Sequence, residues 1–525
     1  MTISDVLEGI RFVRKLPPFL FRPLSPRTAE DILRYRLEHR EPNFLKLIRR
    51  GVYENSKSPY RRLLSHAGCE FKDFERLVSK EGLEGALRVL FRSGVYLTVN
   101  EFKGRQAVVR ESMTFEVGPE LFRNPLAIPH FLAYTSGSGG RRTPVPIDFE
   151  FVKQRIVNHC LALNGRGGLG WDHAVWGVPG HTDIVRILEL TGSGTPPGHW
   201  FSQVDLKAPG LHPRYLWSAR LMRWMSAVVG IPLPFPRHVS LEDPLPIGRW
   251  IEGSLKQGKI PHLVTFVSPA LRLCQAVSIS GIDISGSQFS VGGEPLTRKR
   301  LAAISEKNVA VIPRYGAIES GNFGYGCLKP RAPDDLHLYH DLHAVIQAEK
   351  DGAHSGLPFH ALLVTSLLPK APFILLNVSF GDQAEIEQRS CGCPLERFGW
   401  TTHLKWIRSF EKLTCGGMTF LDSEIIPILE EILPSRFGGS PIDYQLVERE
   451  TGEGHPQLIL KVSPSVGPLD IQALKEAFLE RISLGPGAER VMGLQWGSAG
   501  YLSVERQFPE ATETGKIRHV LQDQK

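Results

Sequence analysis

What the chain lacks sets its first limits. Seven cysteines in 525 residues are too few for a disulfide framework, which predicts a reduced, cytoplasmic protein. No stretch reaches the roughly eighteen apolar residues that a membrane span needs. The charged start of Ile10 to Leu24 leads only into short apolar runs broken by prolines, a poor match to a signal peptide. Basic stripes interleaved with aromatics are also missing, so no nucleic-acid partner is expected. The net charge of +7 does not change this. Residues 1–65 hold 14 Lys/Arg against 7 Asp/Glu and account for the whole excess; arginine-laced helix faces are ordinarily solvated.

What is present describes a globular protein, 42% hydrophobic and 22% charged, too long for one core and therefore of two or more domains. Residues 28–50 predict helix, with Thr28 and Asp31 placed to cap and Pro42 restarting a second one. Asn55 to Gly68 predicts a loop feeding another helix that ends at a glycine. From about 170 to 315 short apolar runs (His173–Val178, His262–Val267, Gln288–Val291, Val309–Pro313) alternate with helical spacing at Ala270–Ser278 and Thr297–Lys307. Such alternation predicts an α/β fold whose ligand lies beyond the carboxyl ends of the strands. Ala344–Glu349, Ala361–Thr365, Phe373–Val378 and Ala384–Glu387 predict a small β-barrel or meander. After a break near 407–417 come a helix at Asp422–Leu433, a hairpin (Tyr444–Glu448 with Gln457–Val462) and a helix at Ile471–Ile482, a small α+β lid. The expected division is a helical leader at 1–130 packed on a body at 131–408, then a mobile lid at 409–525.

Three polar loops carry the chemistry. Tyr134 to Pro146 reads Y-T-S-G-S-G-G-R-R-T-P-V-P. Its glycines let backbone N–H groups converge, and its hydroxyls and arginines add donors, so it reads either as a plain loop or as a phosphate cradle. It lacks the G-K-[ST] of a Walker loop. Gly292-Gly293-Glu294-Pro295 and Arg314 to Gly321 follow two of the expected strands. Near the end, Glu513 to Arg518 is a polar glycine loop displaying Lys516.

In order, T-S-G-S-G-G at 135–140, Y-G-A-I-E-S-G at 315–321 and T-G-K-I-R at 514–518 resemble the adenylate-forming superfamily of acyl- and aryl-CoA ligases, peptide-synthetase adenylation domains and luciferases. G-G-E-P-L-T at 292–297, ahead of Tyr-Gly-x-x-Glu, is most similar to the phenylacetate–CoA ligase branch. The resemblance spans roughly 130–525. It implies that Thr135, Ser136, Gly137, Ser138, Gly139, Gly140 and Arg141 hold the ATP β- and γ-phosphates. Gly293, Glu294 and Pro295 would edge the adenine, with Tyr315 and Gly316 beside it. Glu319 would bind Mg²⁺ and Asp382, in F-G-D, the ribose hydroxyls. Arg408 would precede the hinge, with Glu411 or Lys412 as its pivot, and Lys516 would bridge the substrate carboxylate and the α-phosphate. The chain departs from the family pattern in four places: Gly139 replaces a threonine, the lysine near the end of the first loop is absent with Arg141 or Arg142 as its substitute, Asn377-Val378 replaces Arg-Tyr before the F-G-D glycine and aspartate, and Gly416 replaces a basic residue after the hinge.

The implied function is ATP-dependent activation of a small carboxylic acid, aryl or fatty acyl, followed by transfer to the thiol of coenzyme A. A carrier-protein phosphopantetheine is the rival acceptor, and a nucleotide-binding regulator with decayed catalysis is the rival class. The chemistry asks for such residues: a carboxylate approaching an α-phosphate needs cations to offset like charge. Cys391-Gly-Cys393, with Cys327 and His337 upstream, supplies four ligands of the kind tetrahedral zinc takes in structural sites. Some phenylacetate–CoA ligases are similar there. His340 and His343 are rival ligands, and unrelated reduced thiols are the alternative.

Overall fold

The computed structural model describes residues 3–134, 143–208, 211, 213–293, 296–349, 356–409, 413–415, 418–420, 428–439, 443–450, 456–483, 501–510 and 520–522. Six helices open the chain: α1 (Ile3–Leu20), α2 (Pro26–Glu38), α3 (Arg40–Ile48), α4 (Pro59–His66), α5 (Phe71–Arg92) and the single turn α6 (Val99–Phe102). Helix α2 starts two residues before the expected cap. Pro26 occupies its first turn, where a missing N–H costs nothing, and Ser25 accepts the Thr28 N–H at 3.2 Å. His39 ends α2 and caps α3, so Pro42 falls inside the first turn of α3 and does not begin it. Gly68, with φ +64, closes the turn after α4 as its sequence predicted.

Two hairpins, β1 (Val108–Arg110) with β2 (Met113–Phe115) and β3 (Phe131–Tyr134) with β4 (Pro144–Ile147), lead into the body. Helix α7 (Phe149–Gly165) and strand β5 (Asp172–Gly177) come next. Then follow α8 (His181–Gly192), β6 (His199–Ser202), α9 (Arg214–Val228), β7 (Pro236–His238), α10 (Leu245–Lys256), β8 (Pro261–Phe266), α11 (Val267–Ser280), β9 (Gln288–Gly292) and α12 (Arg298–Ser305). Strands β10 (Ala310–Ala317), β11 (Gly321–Gly326), β12 (Leu336–Leu338), β13 (His343–Gln347), β14 (Ala361–Ser366), β15 (Val378–Gln388) and β16 (Thr402–Ser409) complete it. The fold is α/β, dominated by one sheet of twelve strands in the order β13-β14-β15-β16-β12-β11-β10-β9-β8-β5-β6-β7. From β7 to β10 every pair is parallel. Beyond β10 every pair is antiparallel.

Of the expected barrel or meander it is the meander that forms: β13 to β16 pair antiparallel in chain order as a wing of the main sheet. Its strands continue the ladder through β16 and β12, so their backbone groups are paired without closure. The expected strand Phe373–Val378 does not form. Asn377 has φ +51, which breaks an extended run, and its buried amide donates to the carbonyls of Leu87 (2.8 Å) and Val95 (3.1 Å). The departure noted before F-G-D thus ties the wing to the leader.

The leader shares the body's core. Leu47, Ile48, Leu87 and Leu97 are buried in one cluster with Leu363, Ile374 and Val378, and Phe12 packs on Phe131 and Phe149. After the break come the hairpin β17 (Leu413–Cys415) with β18 (Met418–Phe420) and a four-stranded sheet. That sheet is built from β19 (Tyr444–Glu450), β20 (Pro456–Val462), β21 (Leu502–Glu505) and β22 (Val520–Gln522), with helix Ile471–Ser483 alongside. Arg272 of α11 donates to the Tyr501 hydroxyl at 3.2 Å, joining this unit to the body. Of the expected Asp422–Leu433 helix, 421–427 lie outside the described residues; a π-helical turn covers Ile428–Ile432 and a short α-helix Leu433–Phe437.

Candidate active site

The parallel half orients the site. Its strands run near-continuously buried, with β5, β8 and β9 burying almost every residue, the pattern of strands covered on both faces. Beyond their carboxyl ends the chain turns through glycines where backbone must pass close to neighbours. Gly293 has φ +78, and a Cβ there would stand 2.8 Å from the Phe266 ring. At Gly316 the register with β11 shifts in a bulge, and a Cβ would meet the Gly321 carbonyl at 2.5 Å. The bulge turns β10 into the Glu319 loop.

Two of the predicted nucleotide residues meet directly. The Tyr315 hydroxyl donates to Asp382 Oδ2 at 2.9 Å across 67 positions of sequence. Burial, with Asp382 beside it, raises the Tyr315 phenol well above its ordinary range, so it acts as a donor. Asp382 pairs with Ser409 and Gln383 with Arg408 across β15 and β16, which places Arg408 one register step from Asp382. The Arg408 guanidinium is anchored by Asp334 at 2.9 Å. Asp334 also accepts the N–H groups of Trp406 (2.9 Å) and Ile407 (2.8 Å), holding the end of β16 where Trp406 has φ +56.

Glu319 brings in a residue that sequence reasoning missed. Its carboxylate is ion-paired with Lys103, the two side chains being 7% and 10% exposed. Lys103 follows α6, whose single turn is closed by a capping box between Thr98 and Glu101. Arg110 grips Glu101 with two bonds, at 2.7 and 3.0 Å. The leader thus delivers a cation to the loop that holds Glu319. The T-x-x-E box upstream of Lys103 is readable in sequence, but nothing local links it to residue 319.

Thr135 to Arg141, Glu294, Pro295 and Lys516 lie outside the described residues, as do Glu411, Lys412 and Gly416. The strands flanking the first loop are described. The Tyr134 ring lies 6.1 Å and the Phe131 ring 5.9 Å from that of His181, at the start of α8, so β3 packs on the carboxyl-end side of β5. Trp176 is fully buried and its indole N–H donates to the Val239 carbonyl at 3.1 Å. Ser287 precedes β9, at its amino end, and its hydroxyl donates to the Ile284 carbonyl.

The cysteine–histidine cluster assembles as predicted. Ligand atoms of Cys327, His337, Cys391 and Cys393 all lie within 4.8 Å of one another. The long gap between Cys327 and His337 is the connection between two antiparallel strands: Tyr325 pairs with His337 across β11 and β12. The rival histidines are elsewhere. His343 Nε2 donates to the Ser320 carbonyl at 3.0 Å, and His340 is not in the cluster. His337 Nδ1 donates to the Trp400 carbonyl at 2.6 Å, which turns Nε2 toward the thiols, 3.2 Å from Cys393 Sγ. Backbone N–H groups of Lys329 and Cys393 point at Cys327 Sγ (3.3 Å) and Cys391 Sγ (3.4 Å). Its bond to Cys327, with help from His337, holds the Cys393 thiol far below its ordinary value while Cys327 is pushed up. Three thiols, one oriented imidazole and N–H donors to sulfur fit a closed tetrahedral zinc site.

No protein-family model matches the chain, and no curated protein matches it by sequence. Among solved structures it is similar to an open conformation of 2-hydroxyisobutyryl-CoA ligase in complex with 2-HIB-AMP and CoA. The identity is 13% and the TM-score 0.44, over 96% of this chain and 93% of that one. It is also similar to an amide bond synthetase from Marinactinospora thermotolerans (13%, 0.42, 74% and 68%). A third is a fatty acyl-adenylate ligase from L. pneumophila in complex with acyl adenylate and pyrophosphate (13%, 0.37, 74% and 67%).

Proposed function

We infer that this protein is an adenylate-forming ligase that activates a carboxylic acid with ATP and passes the acyl group to a thiol, that of coenzyme A. The observation that supports this reading is the contact of Tyr315 with Asp382 at the carboxyl end of a parallel strand, with Glu319 on the loop that follows that strand. In the first step a carboxylate oxygen attacks the α-phosphorus and the bond to the β-phosphate oxygen breaks, releasing pyrophosphate. In the second the thiol sulfur attacks the acyl carbon, the bond to AMP breaks, and the thiol proton leaves.

The chain's residues divide this work. Asp382, steadied by the Tyr315 hydroxyl, offers acceptors to the ribose. The 135–141 loop offers N–H and hydroxyl donors to the phosphates, and Lys516 supplies positive charge between the two reacting anions. Glu319 is the acid that would hold Mg²⁺, which when bound neutralises phosphate charge; its buried carboxylate already holds a cation, the Lys103 ammonium, so the donor suits the ion. The four-ligand cysteine–histidine cluster would hold a structural zinc that staples the loop after β11 to the loop after β15. Leader, body and lid at 1–130, 131–408 and 409–525 remain the working division.

The deciding experiment is pyrophosphate release with ATP across a panel of acids, on wild type and Lys516→Ala. Release with particular acids, reduced on the order of a hundredfold in the variant while ATP still binds, supports the ligase. ATP binding without release under any acid makes the protein a nucleotide-binding regulator. Adding coenzyme A or a carrier protein to an active mixture then identifies the acceptor.

A further inference from the structure

We propose that the acid handled by this site carries a second anionic group, and that Arg186 and Arg314 receive it. This rests on the adenylation reading and narrows it to one substrate class: a dicarboxylic acid on an aryl or alkyl frame.

The argument begins with α8. Asp183, Arg186 and Glu189, spaced by three, share its face toward the sheet. Arg186 Nη1 lies 3.1 Å from Asp183 Oδ1. Glu189 is held by Arg155 of α7 at 2.7 Å and by Arg314 of β10 at 3.3 Å. Three guanidiniums therefore face two carboxylates, and among the described residues no further acid is paired with any of them. Burial opposes ionisation of Glu189, but Arg155 and Arg314 outweigh it and keep it charged. Burial pushes Asp183 up to about 6, so the negative side is the weaker. Arg155 Nε has no acceptor among the described residues.

Position separates a binding device from an internal strut. The Asp183 carboxylate packs on Gly177, the last residue of β5, where a Cβ would stand 2.4 Å from Oδ1. The Arg186 guanidinium lies 4.9 Å over the ring of Phe266, the last residue of β8. Arg314 lies beside Gly292, the last residue of β9, whose Cβ would meet the Arg314 carbonyl at 2.7 Å. The cluster thus lines the carboxyl ends of four neighbouring parallel strands, where ligands of such sheets bind. The two acid side chains are 1% exposed and the three arginine side chains 10–13%. A buried surplus cation is costly until an anion joins it. A guanidinium matches a planar carboxylate with two parallel bonds. Phe266 supplies apolar wall for the carbon frame, and the Trp200 indole N–H steadies Asp183 at 3.2 Å.

The anion has two possible sources, the acid or a phosphate of the nucleotide, and the test separates them. Pyrophosphate release is measured for phenylacetate against 4-carboxyphenylacetate and for octanoate against octanedioate, on wild type, Arg186→Met and Arg186→Lys. ATP affinity is measured on all three. The wild type is expected to favour each diacid by roughly a hundredfold in kcat/KM, because a site built around a polar partner rejects the analogue lacking it. Arg186→Met abolishes the preference and Arg186→Lys keeps part of it. Equal or better use of the plain acids by wild type overturns the proposal. So does an Arg186→Met loss that is the same for both acids and accompanied by weaker ATP binding, which assigns the cluster to phosphate. If no acid releases pyrophosphate, the adenylation reading fails. Thermal stabilisation by diacid against monoacid, compared between wild type and Arg186→Met, then decides this proposal separately. Should Arg186→Met not fold, Arg186→Gln takes its place.

Discussion

Replacing Lys103 with methionine removes one half of an ion pair whose side chains are 10% and 7% exposed. Methionine keeps the apolar stem, so the packing loss is small and the Glu319 carboxylate is left buried without its ammonium. Breaking a buried pair from one side costs about 3–5 kcal/mol. The residual exposure of both side chains moderates this, and we expect about 2–3 kcal/mol of unfolding free energy, from the same penalty reduced by partial solvation. Glu319→Gln should cost a comparable amount. The double variant should cost far less than the two together, because an amide facing a thioether leaves no orphan charge; the coupling should reach at least about 1.5 kcal/mol. Denaturant unfolding followed by tryptophan fluorescence on the four proteins of the cycle measures it. Additive costs, or single-variant costs below about 0.5 kcal/mol, would show that the pair is not formed in solution.

Other consequences are as direct. Tyr315→Phe deletes the hydroxyl that bonds Asp382 and should weaken ATP binding about tenfold, the worth of a bond to a charged group; unchanged affinity by calorimetry removes Asp382 from the nucleotide site. Purified protein should carry about one zinc per chain by elemental analysis, and Cys393→Ser with His337→Ala should lose it together with thermal stability. Zinc near zero in wild type, or a variant as stable as wild type, overturns the stapling role. Acid should destabilise the fold. Burial lowers His159 to about 3 and His173 to about 4, from 6.5. The folded state therefore binds fewer protons than the unfolded chain between those values. Their contribution is complete above 6.5 and is lost as pH falls toward 4 and 3. One unit is about 1.4 kcal/mol, so even half of the His159 shift is worth on the order of 2 kcal/mol. Stability measured from pH 7.5 to 5 should fall, and less steeply in His159→Gln; a flat profile contradicts the burial.

Local pattern was enough for much of this protein. Hydrophobic alternation located β5, β8, β9, α11 and α12 within a few residues, since buried strands and amphipathic helices carry their period in the chain itself. Motif order suggested Tyr315, Glu319 and Asp382 as one site, and ligand chemistry proposed the cysteine–histidine set that tertiary geometry then assembled. What needed the fold were pairings between residues far apart in sequence. The antiparallel wing read as a barrel or a meander because strand content is local while strand partners are not; β12 pairs with β16 across three intervening strands, and only three dimensions say so. Lys103 on Glu319, Asn377 on the leader's carbonyls and two arginines on Glu189 are contacts spanning from 34 to hundreds of positions. Such a buried charge is stabilised by whichever partner the topology delivers, so its partner is set by where the strands end and not by its sequence neighbours.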